Sequence, residues 1–510
     1  MSRTSFLVRS TAIALCLPAT AAFADLTSAE VWADWKSYMA TAGYEITTIE
    51  TIDGGTLTTS DLTMQVDLGE EAGNGVINVL MGTIRFVEQG DGSVAIELPA
   101  QTSIEFESTT PDGDKITAKV NYEQTDPVMT ASGDPDKLTY DYNAPSAKME
   151  ISSLTVNGLP IGSNVARGVV NVTNMAYALT TSVDALRSIE QTMSLGMFDY
   201  DIAFADPEGE GTFNMKGAIN GVTVNGEGTL PTETDPQDVN AMLEDGLDFT
   251  AVMATTGGSY DLSFNSPDGS GTANSTSEGG EINMSMSTAG LVYDIVQRNV
   301  DFNMLITELP LPLSFSAAEI GTGVLMPLQK SPDAQEFGFN VTLSDFTMSD
   351  VIWSLFDPSA QLPRDPATLL VDLSGKAKVL FDFLDPTQAV VPEQTGAAPG
   401  ELDALTLNKL ELDAVGAKLT GSGDFTFDNS DLLTFDGVPR PLGGLDLQLV
   451  GGNGLLDKLV GMGLIPSEQA TGARLMMGLF AVPGDAPDTL NSRIEVNPEG
   501  HVLANGQRLR

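Results

Sequence analysis

The feature that most constrains this chain is a period of two. Leu62, Met64, Val66 and Leu68 alternate with Asp61, Thr63, Gln65 and Asp67. Successive side chains of a strand point to opposite faces, so this run reads as a strand with one buried and one wet face. The alternation recurs at Val94-Ile96-Leu98, Ile104-Phe106, Phe425-Phe427 and Leu445-Leu447-Leu449. Between such runs stand Gly90-Asp91-Gly92, Pro111-Asp112-Gly113 and Pro267-Asp268-Gly269, residues whose fixed or permissive φ suits a reversal. The expected fold is mainly β, an elongated antiparallel meander of curved sheets built from repeated hairpins, with a few short helices.

An internal repeat supports the elongated form. Tyr200–Asn214 aligns with Tyr260–Asn274, eight of fifteen positions being identical, and Ile104–Lys115 is a weaker third copy. Each copy reads strand, Pro-acid-Gly turn, strand. Hairpins that cannot bury a face alone stack on their neighbours. Helices are expected where Thr27-Ser28-Ala29-Glu30 forms a capping box (through Ala42), from Asp235-Pro236 to Gly246, and over Asp350–Phe356 behind Ser349. Asn453–Leu464 and Ser467–Val482 read as an αα-hairpin broken at Pro466, and Pro386–Gly400 as a loop. The expected division is a leader over 1–24, a hairpin-repeat region over 25–310, and a second β-rich region over 311–510 that carries the αα-hairpin and either stands apart from the first or continues it.

The leader carries the expectation about compartment. Arg3 and Arg9 precede an apolar Thr11–Pro18 stretch, and Ala22-Phe23-Ala24 precedes Asp25, the layout of a secretory signal cleaved between Ala24 and Asp25. Bulky Leu15 before Cys16 argues against a lipoprotein. The expected product is a soluble periplasmic protein, cysteine-free once Cys16 is removed and stabilised by burial rather than disulfides. No later run reaches the ~18 consecutive apolar residues of a transmembrane helix. Aromatics at 6% are too sparse for the girdles of an outer-membrane barrel.

Composition removes several chemistries. A formal charge of −46, with 70 acids against 24 bases, argues against nucleic acid, whose phosphates need clustered Lys and Arg. One His and one Cys exclude His-pair zinc motifs, disulfides and thiolate clusters, and no cofactor or metal is expected. His501 follows the Asn497–Gly500 turn with no nucleophile elbow before it, and reads as a hairpin residue. Ser374-Gly375-Lys376 lacks the S-x-x-K spacing and reads as a bulge. Val450-Gly451-Gly452-Asn453-Gly454 sits where phosphate loops sit, but Asp457 occupies the third glycine's place, so it reads as a tight turn. Acidic turns such as Asp112-Gly113-Asp114 read as solvated charge, with weak surface Ca²⁺ as the alternative. The uncharged run Leu475–Val482 is expected to be buried, with Gly472 and Gly478 allowing close packing.

The run Phe315–Ile320 through Met326-Pro327-Leu328, then Phe337-Gly338-Phe339 and Ile352-Trp353, leads into Leu362-Pro363-Arg364-Asp365-Pro366 and Val371–Ala377. With the Val31-Trp32-Ala33-Asp34-Trp35 helix, this resembles the bacterial domain-of-unknown-function family 2125, secreted proteins without an assigned activity. The resemblance implies no catalytic residues. Leu405–Phe427 and the Val496–Gly506 ending are similar to AsmA-like proteins, whose long sheets form greasy grooves; that analogy rests on strands and an Asn-Gly ending alone. Pro363 and Pro366 fix φ on both sides of Arg364-Asp365, and the four residues are expected to act as a structural clamp with Arg364 paired. Three readings of function stay open: a non-catalytic periplasmic protein that holds an apolar ligand or lipid along a sheet face, a structural envelope protein with fully packed sheets and a protein partner, and a carboxylate-only hydrolase. Oligomeric state is not legible.

Overall fold

The computed structural model describes residues 25–68, 75–110, 113–206, 211–235, 238–384 and 400–510. The expected leader, cleavage residue Ala24, Cys16, Pro111-Asp112, Pro236 and the loop up to residue 399 lie outside these residues. The chain is 65% strand and 11% helix. One antiparallel sheet contains all the strands, and its order follows the chain.

β1 (Glu45–Asp53), β2 (Thr56–Asp67) and β3 (Val76–Glu88) open the sheet. β4 (Val94–Glu97) and β5 (Gln101–Thr109) share one rung against β3, and β6 (Lys115–Thr125) and β7 (Val128–Asp134) share the next. β8 (Lys137–Val156), with β9 (Leu159–Ile161) turned back on it, β10 (Ala166–Val183), β11 (Leu186–Ala205) and β12 (Thr212–Pro231) are long. β13 (Asp248–Thr255) and β14 (Gly257–Ser266) divide another rung, as do β15 (Gly269–Ser277) and β16 (Gly280–Ser287). The meander continues through β17 (Gly290–Ile306), β18 (Leu309–Met326), β19 (Gln335–Met348), β20 (Ala367–Val379), β21 (Gly400–Ala414), β22 (Ala417–Asp428) and β23 (Arg440–Val450). It ends in β24 (Val482–Pro483), β25 (Thr489–Val496), β26 (Val502–Ala504) and β27 (Gln507–Arg508). Residue 311, where the sequence division falls, lies inside β18, and the sheet crosses it without a break.

The two best repeat copies are neighbours. β11–β12 and β14–β15 each form a hairpin, and β12 pairs β14 so that Gly217 stands between Tyr200 and Tyr260, and Lys216 between Asp201 and Asp261. The repeat therefore builds a row across the sheet. The tyrosine ring of the first copy lies over Gly217, where a Cβ would meet its hydroxyl at 2.4 Å.

Each rung from β2 to β19 is interrupted near its middle, and the interruptions are in register. Asp61 and Gly82 bulge in β2 and β3, and the β4/β5 and β6/β7 breaks follow at Pro99 and Asp126. Next come Asn174, Gly221, the breaks at Thr256 and Gly279, then Asn299 and Asp345. Asp, Asn and Gly serve here because a bulge residue takes a left-handed conformation, φ 51° at Asn174 and 48° at Asn299, that they tolerate. The result is a crease that divides the sheet into two arms.

Five helices are described, α1 (Ser28–Thr41), α2 (Val239–Glu244), α3 (Asp350–Trp353), α4 (Gly452–Gly461) and α5 (Ser467–Phe480). α1 has the expected capping box between Thr27 and Glu30. Ser349 precedes α3 without a side-chain cap. α1 covers a core of Leu57, Ile84, Phe86, Ile96 and Tyr140, with Trp32 and Trp35 against Phe86. α2 covers a second core, where Met242 and Leu243 meet Phe249, Met286 and Leu291. The chain exposes 29041 Å². That is about 1.6 times the area expected of a compact monomer of its mass. Burial is concentrated under the helices, and much of the sheet is open.

Candidate apolar binding face

Directly opposed residues of an antiparallel pair share a face, so the register traces each face across the sheet. One lateral row runs Tyr140, Leu179, Gln191, Gly226, Ala251 and Met284. It continues through Tyr293, Val324, Phe339, Leu373 and Leu407 to Leu445 and Ile494. This is the face the helices sit on. At every paired position of β12–β20 it presents apolar residues, Gly, Ser, Thr or Gln. The Asp, Glu, Lys and Arg of these strands stand on the other face or at bulges, as Lys216, Asp261, Asp294, Arg298, Glu319 and Asp372 do. In a chain with 94 charged residues, that separation is the strongest chemical signal in the molecule.

The inner-face charges occur at the N-terminal end, and α1 takes all three; Glu50, opposite Thr59, accepts from Lys36 at 2.9 Å. Glu88 accepts from the Ser28 backbone N–H at 3.0 Å and its hydroxyl at 3.1 Å. Arg187 is fully buried and donates to Asp34 at 2.7 Å, to Thr181 at 3.0 Å and to Ser37 at 3.0 Å. Tyr140 donates its hydroxyl to the same Asp34 at 2.7 Å; burial first, then the Asp34 carboxylate, pushes this phenol far up. Next to this cluster Tyr177 donates to Gln191 at 3.2 Å, its phenol pushed up to about 12 by burial, so it stays neutral.

Between the helices a stretch of the face is uncovered. Met284, Tyr293, Val324 and Phe339 are cross-strand neighbours and remain 38%, 39%, 37% and 42% exposed. At ~4.8 Å per strand the stripe spans about 14 Å, close to one leaflet of a ~30 Å hydrocarbon core. At the crease, Ile219 and Gly258 of one arm and Met253, Ile282 and Ile295 of the other line a hollow of 240 Å³. This hollow lies on the apolar side of the crease, and we term that face the trough. The other face carries polar hollows, such as one bordered by Asp294, Asn340, Asp372 and Lys376.

Pro363, Arg364, Asp365 and Pro366 lie outside the trough, between α3 and β20. Arg364 pairs with Asp350, lies 5.4 Å over the Trp353 ring and donates to the Asp357 carbonyl at 3.3 Å. Asp357 is fully buried and accepts from Gln361 N–H at 2.8 Å and Leu362 N–H at 2.9 Å. Burial alone would raise its carboxyl; those two N–H groups and Arg364 outweigh it and hold it below the usual range. Asp365 is exposed.

The glycine turn at Val450–Gly454 is filled by the protein itself. Gly451 is left-handed at φ 78°. The Asp488 carboxylate accepts from the N–H groups of Asn453 at 3.1 Å and Gly454 at 2.8 Å, the position a bound phosphate would take. His501 is half-buried beside its turn, its backbone N–H donating to Asn497 at 2.9 Å. Among the described residues no group of three or more His, Cys, Asp or Glu could hold a metal, and no helix is long and apolar enough to cross a membrane.

One expectation is overturned. The uncharged run beginning at Leu475 is not buried: Leu475 is 75% exposed, and a Cβ at Gly472 or Gly478 would meet open space. The helix packs through Ala470, which is buried, while Arg474 turns toward α4 and meets Asn453 and Asp457.

Residues 141–497 match a family model described as an uncharacterized protein conserved in bacteria, domain-of-unknown-function family 2125. The chain belongs to this family. No curated protein and no solved structure matches it. The family segment contains the whole charge-free stretch β12–β20, whereas α1 and β1–β7 precede it. Sequence reasoning saw the alternation but not the trough. The signal available was a change of parity: Phe339, Val341 and Leu343 are odd-numbered and Phe346 and Met348 even-numbered across Asp345, which keeps both arms apolar on one face.

Proposed function

We propose that this member of family 2125 is a non-catalytic binding protein that holds an acyl chain of a lipid in the trough, and that it works in the periplasm after losing residues 1–24. The single observation that carries the reading is the open stripe Met284-Tyr293-Val324-Phe339 on a face that carries no charge from β12 to β20. A structural protein with packed sheets would have covered these side chains. An apolar stripe of this length matches one acyl chain, and burying methylenes at ~0.8 kcal/mol each is enough to offset immobilisation of the ligand. Tyr293 and the amide N–H of Gln191 offer uncharged hydrogen-bonding groups to a head group or carbonyl.

The test is native mass spectrometry of the purified protein, followed by titration with a fluorescent fatty acid. Wild type should carry or take up lipid. Val324→Glu, which puts a carboxylate in the middle of the stripe, should weaken uptake at least tenfold while circular dichroism is unchanged. Absence of bound lipid together with no fatty-acid uptake by wild type would sink the reading. Intact mass of the exported protein, starting at Asp25, tests the compartment.

A further inference from the structure

α5 is built inside out. Its outward face carries Leu475, Met476 and Leu479, exposed by 75%, 53% and 49%, and Leu464 of the α4–α5 connection and Val482 after the helix are 46% and 45% exposed. Its one cation is turned away from that face: Arg474 donates to Asn453 Oδ1 at 3.2 Å and to Asp457 at 2.6 Å, tying α5 to α4. Gly472 and Gly478 add no bulk to the outward surface. A helix spends its apolar side on water only where something else is to cover it.

We propose that the α4–α5 hairpin docks on a lipid bilayer with net-neutral head groups, seating the C-terminal end of the trough on the membrane. Charge selects the occupant. From Gly452 to Val482 the hairpin holds Asp457, Lys458, Glu468 and Arg474, which cancel, in a chain of net charge −46. A second copy would bring another −46 against the first, so self-association through this patch is opposed by repulsion. A basic protein would seek acidic surface, which this patch lacks. A neutral interface is what an uncharged helix face enters, its apolar side chains sinking into the head-group boundary. The hairpin is also continuous with the trough. Ser492 stands opposite Leu447 on the inner face and donates its hydroxyl to the Phe480 carbonyl at the end of α5 at 2.6 Å, and Gly452 abuts the Leu449 side chain. This inference rests on the lipid-binding reading for its purpose, and its test is separate.

The experiment is flotation of the full-length mature protein with phosphatidylcholine vesicles at low and high salt. Wild type should float at both, because the attraction is apolar. The pair Leu475→Glu and Met476→Glu, both at exposed positions, should lower the floated fraction at least tenfold, yet bind fluorescent fatty acid like wild type. Val324→Glu should show the reverse, floating but not binding fatty acid. A probe on Met476→Cys, the one cysteine in the protein from Asp25 onward, should shift to the blue when vesicles are added. Wild type that stays with the pellet, a glutamate pair that still floats, or an unshifted probe overturns the docking surface and leaves the trough untouched. Gel filtration showing a dimer that the glutamate pair dissolves assigns the patch to a second copy and equally overturns it.

Discussion

Arg187→Met should release α1 from the end of the sheet. The native guanidinium is fully buried and joins three partners, Asp34 at 2.7 Å and Thr181 and Ser37 at 3.0 Å, with the Tyr38 ring 5.5 Å away. Methionine keeps the apolar stem but leaves Asp34, itself only 12% exposed, with Tyr140 as its remaining strong donor. Breaking one side of a buried pair costs about 3–5 kcal/mol, because the other charge stays uncompensated. At 1.36 kcal/mol per decade, that is about 10²- to 10⁴-fold in the opening equilibrium of α1. Hydrogen exchange of the α1 amides reads this opening directly, since a long meander opens region by region. Asp34→Asn should have an effect of the same order. The double variant should be clearly less damaging than the two effects added, since neither charge is then stranded. A change below tenfold in either single variant, or strict additivity in the double, would refute the claim that this pair fastens the helix.

Arg364→Ala should cost only about 1 kcal/mol, since its partner Asp350 is 86% exposed and the gain comes chiefly from the Trp353 ring; urea unfolding followed by Trp fluorescence measures it. Asp488→Ala should destabilise α4 by about 1–2 kcal/mol by stripping two N-terminal N–H groups of their acceptor, read as faster exchange over Gly452–Gly461. Asp357 has a carboxyl held below its ordinary value of 3.8, so the unfolded chain binds its proton first: its contribution is full above that value and is lost as pH falls through the folded value. Thermal melts between pH 6 and 3 should therefore show a shallower acid decline in Asp357→Asn than in wild type. His501→Ala should leave fatty-acid binding and vesicle flotation unchanged, the imidazole lying in a hairpin turn many strands away from the Met284–Phe339 stripe.

Much of the fold was legible because β-structure writes its period into the sequence. The capping box of α1, the αα-hairpin and the side-by-side repeats needed only local rules, and the structure places all three where those rules do. What local rules could not supply was the sharing of one face by distant strands. Met284, Tyr293, Val324 and Phe339 are spread over 55 residues of chain, and each by itself is an ordinary strand residue. The error over Leu475 has a related cause. A run without charge implies contact with something apolar, but the run alone does not say whether that is the protein's own core.

A flat strand of some twenty residues with unbroken alternation would keep its apolar face, but the sheet would have no line along which to fold toward it. An unregistered bulge would bend one strand and turn half of its side chains to the wrong side relative to its neighbours. Bulges in register do neither harm. Each costs an unpaired residue, and the Asn, Asp or Gly placed there lowers that cost by accepting the left-handed conformation. The shift in parity that accompanies each bulge, from Ile219 to Val222 across Gly221 and from Leu343 to Phe346 across Asp345, restores the apolar residues to the inner side. Removing one such shift should therefore do more damage than removing one large apolar side chain. Deleting Asn299 would bring Val300, Phe302, Met304 and Ile306 onto the outer face beside Asp301's present neighbours and put Asp301 and Asn303 into the trough. The expected result is loss of fatty-acid binding and exposure of the β17–β18 arm to protease, while Asn299→Gly, which keeps the bulge, should retain both binding and protection. Equal behaviour of the deletion and the glycine variant would mean that the crease does not hold the trough together.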